Sequence, residues 1–263
     1  RTISVTKAQY DKLLAERTVS GADLKVGRLN WFANQIIEFT WLTLPRQVRR
    51  RWKGNICIDA TPVKAFAQPR TKHRERTSEP DAAWYLRTGD HRDLGDESGK
   101  KVTRSLFGYE AHIAVGTPNS DAIDLPDFPL LATGIAFDKP GHNIAESAMN
   151  ILASMRDRNF DPAVVVGDRA YWANSKAEKL QLPARALGWK NINDYTKDQL
   201  GIADGHGGSI QVEGAWYCPS MPQPLIDATI DRRNKVIDDK EYAQRIEQRR
   251  RYLLKAKERP DAD

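Results

Sequence analysis

The sequence contains little cysteine and no long hydrophobic run. Cys57 and Cys218 are the two cysteines among 263 residues, and neither belongs to a CxxC pair, which excludes a disulfide framework and argues against a zinc site. The apolar runs 163–166 and 135–137 are far shorter than the roughly 18 residues of a membrane-spanning helix. No signal peptide precedes Arg1, so we expect a cytoplasmic protein without a membrane partner.

The positive charge of the chain is concentrated towards its C-terminal end. The 41 Lys and Arg residues exceed the 35 Asp and Glu residues by six. Residues 231–259 contain eleven Lys and Arg and six Asp and Glu, a surplus of five that leaves one positive charge for the rest of the chain. A local basic surface is typical of proteins that bind nucleic acid, but a solvated helix with interspersed charges has the same composition.

Hydrophobic patterning divides the chain into three parts. Residues 1–53 are predicted to be helical, residues 54–189 alternate between strand-like and helical runs, and residues 190–263 are irregular at first and then basic and helical in propensity. The order of elements in the middle part predicts an α/β fold with a mixed sheet flanked by helices. We expect the third part to be an incomplete insertion, because the chain stops within a charged run.

The middle part contains recognisable strand and helix signals. Four apolar runs predict strands, at residues 54–66, 104–116, 129–138 and 163–168. The second and third runs are expected to pair as a hairpin, and the fourth lacks alternation, which predicts burial on both faces. A helix is predicted from Ile144, with Asn143 and Glu146 as an N-x-x-E cap. Residues 67–105 are polar without periodicity and are predicted to be a long loop.

Two of these apolar runs reach an aspartate, Asp59 in the first and Asp168 in the last. Open α/β sheets bind ligands at strand ends, so we expect both carboxylates at one edge if the strands are neighbours. Two adjacent carboxylates repel unless they share a proton or a divalent cation. Oxygen ligands without histidine or cysteine suit Mg²⁺ or Mn²⁺. The alternative is that each aspartate caps the turn after its strand.

Four blocks of the sequence carry a family resemblance. In order, they are "ICIDATPVKA", "LFGYEAHIAV", "KPGHNIAESAMNIL" and "VVVGDRAYWANS", spread over residues 54–180. They resemble the blocks of DDE transposases from bacterial insertion sequences. The resemblance implies a ribonuclease H-like fold in which Asp59 and Asp168 are the first two members of a metal-binding triad. It also implies hydrolysis of a phosphodiester at a transposon end and attack of the freed 3′ hydroxyl on target DNA.

The third acid of the triad departs from the family pattern. In these families a Glu often lies in a block spaced Y-x-x-R-x-x-x-E. Tyr242 and Arg245 match the first half of that block, but Arg249 occupies the place of the Glu, and Glu247 is two residues out of step. We expect the third acid to lie beyond Asp263 or to be missing.

Several basic residues are candidates for contacts with DNA phosphates. Lys64 and Arg169 follow the two aspartates, and three alternating cations lie in the polar stretch, namely Arg70, Lys72 and Arg74. The alternatives are salt bridges and a solvated loop. The expected partner is double-stranded DNA, as transposon ends and as target, with a homodimer on DNA as one form of the complex. This partner would place the protein at the nucleoid.

Two other functions remain as alternatives. A haloacid-dehalogenase-like phosphatase would need acids at positions 61 and 172, which are Thr61 and Trp172. A catalytically inactive DNA-binding protein derived from a transposase would account for the basic segment and for the missing Glu. His112, within a strand-like run, is interpreted as a hydrogen-bonded structural histidine.

Overall fold

The computed structural model describes residues 4–19, 21–66, 76–89, 102–119, 130–168, 170–192, 195 and 199–255. The chain forms two compact units, Arg1–Asn193 and Asp194–Asp263. Within the described ranges, no helix has both the length and the apolar composition needed to cross a bilayer.

Three helices open the first unit, namely α1 (Lys7–Val19), α2 (Ala22–Leu42) and α3 (Arg46–Arg51). They confirm the helical prediction for residues 1–53. Near the end of α2, Trp41 packs against Trp52 and Phe160, with ring centroids 4.7 and 5.8 Å away. This aromatic cluster joins the helical segment to the core of the first unit.

The described part of the first unit contains a mixed sheet of six strands, namely β1 (Ile56–Lys64), β2 (Ala83–Gly89), β3 (Val102–Gly116), β4 (Ala132–Asp138), β5 (Val164–Gly167) and β6 (Lys190–Ile192). The strand order is β2-β3-β1-β5-β6, and β4 also pairs with β3. β3 is antiparallel to β1, β2 and β4, whereas β5 is parallel to β1 and β6. The predicted hairpin and the predicted mixed sheet are therefore confirmed.

Part of the segment predicted to be a loop forms a strand. β2 pairs with the first half of β3, and Trp84 lies directly opposite Phe107. Their rings meet edge to face with centroids 5.6 Å apart. Such cross-strand aromatic pairs stabilise a strand that local periodicity does not reveal.

The helix after β4, α4 (Ile144–Asp157), covers one face of the sheet. Its buried apolar side chains are those of the predicted period, namely Ala148, Ile151, Leu152 and Met155. The predicted cap is wrong, because Asn143 has a φ of 48° and its side chain makes no cap hydrogen bond. A side-chain cap requires an extended residue, whereas Asn143 adopts the left-handed conformation.

Only one face of β5 is buried, which differs from the prediction for residues 163–168. Val165 is fully buried against the α4 side, while Val166 on the opposite face is 39% exposed. The apolar run "VVV" therefore reflects one buried face and one face open to solvent in the described structure. After β5 the chain forms a 3-10 turn, Ala177–Lys179, and helix α5 (Gln181–Ala186).

The second unit contains a three-stranded antiparallel sheet, with strands β7 (Ile202–His206), β8 (Ser209–Val212) and β9 (Ala215–Tyr217). The prediction that residues 190–263 are irregular at first is wrong for these strands. Gly207, Gly208 and Gly214 have φ values of 55°, 79° and 79°, so the glycines form the turns between strands. Three helices follow, namely α6 (Gln223–Ile226), α7 (Ala228–Arg233) and α8 (Asp239–Arg249).

Amide side chains of α2 satisfy the outer edge of β4. Asn34 donates from Nδ2 to the carbonyl of Ile135 at 2.7 Å, and its Oδ1 accepts the Ile135 N–H at 3.0 Å. Asn30 Oδ1 accepts the N–H of Phe137 at 3.3 Å. Asn34 is 2% exposed, so it replaces a neighbouring strand and protects an edge that would otherwise be open to pairing.

We predict that Asn34→Ala lowers the free energy of unfolding of the first unit by about 2–4 kcal/mol, because two backbone groups of Ile135 lose their partner in a buried place. Urea denaturation followed by tryptophan fluorescence measures this unit, since every tryptophan except Trp216 lies in it. Asn30→Ala, which removes one longer bond, is the matched control and should cost about 1 kcal/mol. Equal losses in both variants would contradict the edge-protecting role of Asn34.

Candidate active site

Asp59 lies in β1 and Asp168 directly follows β5, the parallel neighbour of β1. The register pairs Ile58 with Gly167, the last residue of β5, so Asp59 and Asp168 are the two residues that come next. Neighbouring strands are about 4.8 Å apart, and residues in register share a face of the sheet. The structure thus brings together two carboxylates that are 109 residues apart in the sequence (168 minus 59).

Each carboxylate makes one local hydrogen bond. Asp59 Oδ1 accepts the N–H of Ala60, and Asp168 Oδ1 accepts the N–H of Ala170, both at 2.8 Å. The second bond is the turn-capping contact that was the alternative interpretation of Asp168. Among the described residues, neither aspartate forms an ion pair. Within the part of the chain that the structure describes, the second oxygen of each carboxylate has no hydrogen-bond partner.

The turn after β5 holds Asp168 at the strand end. The backbone N–H groups of Tyr171 and Trp172 approach the Asp168 carbonyl at 3.2 and 3.4 Å, which bends the chain back towards the sheet. Trp172 is fully buried beneath this turn. A Cβ at Gly167 would lie 2.7 Å from Trp172 Nε1, so a larger residue there would displace the indole. Glycine before Asp168 is thus required by packing.

The two aspartates line one cavity of about 620 Å³. Other lining residues include Glu110, His112 and Tyr171. Glu110 is buried, and its Oε2 accepts the N–H of Gly141 at 2.9 Å. Sequence reasoning missed Glu110 as a residue of this site. The one local signal is that Glu110 is the only acidic residue of β3.

His112 and Tyr171 form a buried pair at the floor of the cavity. His112 Nδ1 lies 2.8 Å from the Tyr171 hydroxyl, and both side chains are almost fully buried. This pair confirms the interpretation of His112 as a hydrogen-bonded structural histidine. Burial lowers the pKa of His112, despite the opposing charges of Glu110, Asp138 and Asp59. The imidazole is therefore neutral at physiological pH.

The phenol of Tyr171 keeps its proton. Burial raises its pKa, and the charges of Asp59 and Asp168 raise it further. The phenol hydroxyl and His112 Nδ1 share one hydrogen bond, and His112 Nε2 lies 3.8 Å from Glu110 Oε2. Burial and then the same two aspartates also raise the pKa of the Cys57 thiol, so both carboxylates act on the same neighbours.

The candidate DNA contacts are only partly within the described structure. Lys64 is exposed at the end of β1, five residues beyond Asp59. At about 3.3 Å per residue it lies roughly 16 Å from the aspartate, and by alternation it is on the other face. The structure therefore does not bring Lys64 into the cavity. The other four candidates lie outside the described residues, namely Arg70, Lys72, Arg74 and Arg169.

The block that resembles the third-acid motif has structural contacts in the second unit. Arg249 is buried and pairs with Glu213 at 2.6 Å, while its Nε donates to the Leu225 carbonyl at 2.9 Å. Arg245 pairs with Asp231 at 2.7 Å. Glu247 pairs with Arg250 at 2.9 Å. These contacts hold α8 within its own unit.

The donor set at Asp59 and Asp168 fits a hard divalent cation in part. Mg²⁺ is commonly bound through one or two carboxylates, with water and substrate phosphate oxygens as the other ligands. The two aspartates provide those carboxylates. Among the residues that the structure describes, no group of three or more His, Cys, Asp or Glu is arranged to hold a metal ion.

Comparison with known proteins gives no independent assignment. The chain matches no protein-family model, no curated protein and no solved structure. Functional inference therefore depends on the site itself.

We predict that acid destabilises the first unit partly through His112. The histidine pKa is lower in the folded chain than in the unfolded chain, so stability is full above about pH 6.5 and falls as the pH decreases below it, by at most about 1.4 kcal/mol per pH unit. Urea unfolding at several pH values should show a flatter profile for His112→Gln. His142→Gln, at an exposed histidine of the same unit, should keep the wild-type profile. An unchanged slope in His112→Gln would refute the prediction.

Proposed function

We propose that the first unit is the catalytic unit of a DDE-type transposase that cleaves and joins DNA strands with a divalent cation. The observation that carries the proposal is the parallel register of β1 and β5, which makes Asp59 and Asp168 neighbours. The position of β1 between antiparallel β3 and parallel β5 supports the ribonuclease H-like fold that the sequence blocks imply. Val166, on the same face of β5 as Asp168, is 39% exposed, and we infer that DNA approaches the sheet on this face.

Each residue of the site has a role in this proposal. Asp59 and Asp168 would hold the cation, which when bound stabilises negative charge on phosphate oxygens. Tyr171 is a positioning residue, because its hydrogen bond to His112 ties the turn after Asp168 to β3. Glu110 faces the same cavity but is engaged by Gly141, which fixes its carboxylate at the wall.

A second candidate is a DNA-binding protein that lacks catalysis. It is favoured by the absence of a three-ligand group among the described residues. In that case the two aspartates would act as turn caps, as Asp168 does for Ala170. The two functions differ in the effect of removing one carboxylate.

We predict that Mn²⁺ binds the chain with a saturable heat in calorimetric titration, and that Asp59→Asn and Asp168→Asn each weaken this binding at least about 10-fold, because each removes a charged ligand. Asp204→Asn is the matched control. Asp204 is exposed and its Oδ1 also accepts a neighbouring backbone N–H, at 2.7 Å from Gly205.

The same variants separate catalysis from DNA binding. For a transposase, Asp168→Asn should abolish Mn²⁺-dependent nicking of plasmid DNA while leaving DNA affinity unchanged. Equal heats of Mn²⁺ binding for the wild type and Asp168→Asn would refute the metal site. Metal binding without nicking would favour the inactive DNA-binding protein.

We predict that the logarithm of the association constant for duplex DNA falls linearly with the logarithm of the salt concentration, because contacts to phosphates release counterions. Lys64→Ala should reduce the magnitude of the slope by about one unit, the amount expected for one phosphate contact. Fluorescence anisotropy at several salt concentrations measures both. Lys12→Ala, an exposed lysine paired with Glu16 in α1, is the control. Identical slopes for Lys64→Ala and the wild type would exclude Lys64 from the interface.

A further inference from the structure

Helix α2 exposes an apolar seam on the side away from the sheet. Leu29, Phe32, Ile36 and Phe39 are each more than half exposed, and Phe39 is 69% exposed. Their spacing of three, four and three residues is that of the a and d positions of a heptad. We call these four residues the α2 seam. Asn34 and Trp41, the two buried residues of α2, fall at the f positions, opposite the seam.

We propose that the α2 seam binds the seam of a second copy of this chain, as an antiparallel two-helix interface with twofold symmetry. The 3-4 spacing favours another helix as the partner, because the knobs of one heptad seam fill the holes of a matching one. A second copy provides a matching seam by identity, and a twofold interface places the same patch on both sides.

The exposed area of the seam suits a dimer. Half-exposed large apolar side chains each present roughly 100 Å², since an aromatic residue buries about 150–250 Å² when fully covered. Four seam residues with Leu42 beside them present roughly 500 Å² per copy. Two copies would bury roughly 1,000 Å², the lower limit for a specific interface. A contiguous apolar patch of this size is comparable to the largest patch on a typical monomer, and such patches often have a function.

Charge determines the antiparallel direction. Lys25 occupies the d position before Leu29, so a parallel pair would place two lysines against each other in the seam. An antiparallel pair centred on position 34 places Leu29 against the second copy's Phe39, and Phe32 against its Ile36. Lys25 then lies beside the C-terminal end of the other α2, where a cation is stabilised by the helix dipole.

Sedimentation velocity of the whole chain without DNA tests the surface. The wild type should show a concentration-dependent dimer, and Phe32→Glu with Phe39→Glu should be monomeric at the same concentrations. Trp31→Glu is the matched control, because Trp31 is 63% exposed on the same helix but lies outside the seam. It should remain dimeric. A monomeric wild type, or a dimer that persists in the double variant, would overturn the proposal.

Disulfide cross-linking tests whether the two α2 helices are antiparallel. It leaves the four residues of the α2 seam unchanged. In a background with Cys57→Ala and Cys218→Ala, Gln35→Cys places the thiols of both copies next to the twofold axis of the antiparallel pair and should form a disulfide-linked dimer. Lys25→Cys should not, because the two thiols lie at opposite ends. A dimer linked through Lys25→Cys instead would establish a parallel pair and refute the antiparallel one. No cross-link in either variant would refute the interface.

Discussion

The parallel pairing of β1 with β5 is the constraint on which the site depends. Both strands bury one face against α4, and their register places Asp59 next to Asp168. A shift of one residue would move one carboxylate to the buried face, where an unpaired charge is costly. The apolar residues Ile58 and Val165 therefore fix the position of the charged ones. The packing that sets the register of β1 and β5 thus also sets the geometry of the site.

Local patterns predicted the elements whose burial is periodic. α4 and the hairpin of β3 and β4 follow from residue spacing, and Asp59 and Asp168 are visible as the acids that interrupt or follow apolar runs. The sequence did not predict β2, because its stability depends on the distant partner Phe107. It predicted burial of both faces of β5, because a short apolar run has the same composition whether its second face is covered or open.

The partners within the polar interior of the first unit could not be predicted, because they meet only in the folded chain. Asn34 reaches Ile135 across 101 residues, and His112 reaches Tyr171 across 59. Neither pair has a sequence spacing that distinguishes it from exposed polar residues. Both pairs satisfy buried polar groups, and losing either partner would lower the free energy of unfolding. The first pair protects a sheet edge and the second ties the turn after Asp168 to β3, so each has a mechanical role beside the site.

The position of Arg249 decides how the third-acid block should be interpreted. Its guanidinium is buried among Glu213 and the carbonyls of Leu225 and Ile226. A glutamate at position 249 would place two carboxylates and two carbonyl oxygens together without a hydrogen-bond donor. Burying these groups in that way would destabilise the folded unit. The surrounding groups are therefore acceptors that match an arginine. The residues from Tyr242 to Arg249 serve the packing of α8. The contacts of Arg245 and Arg249 thus give the spacing of this block a packing role within the second unit.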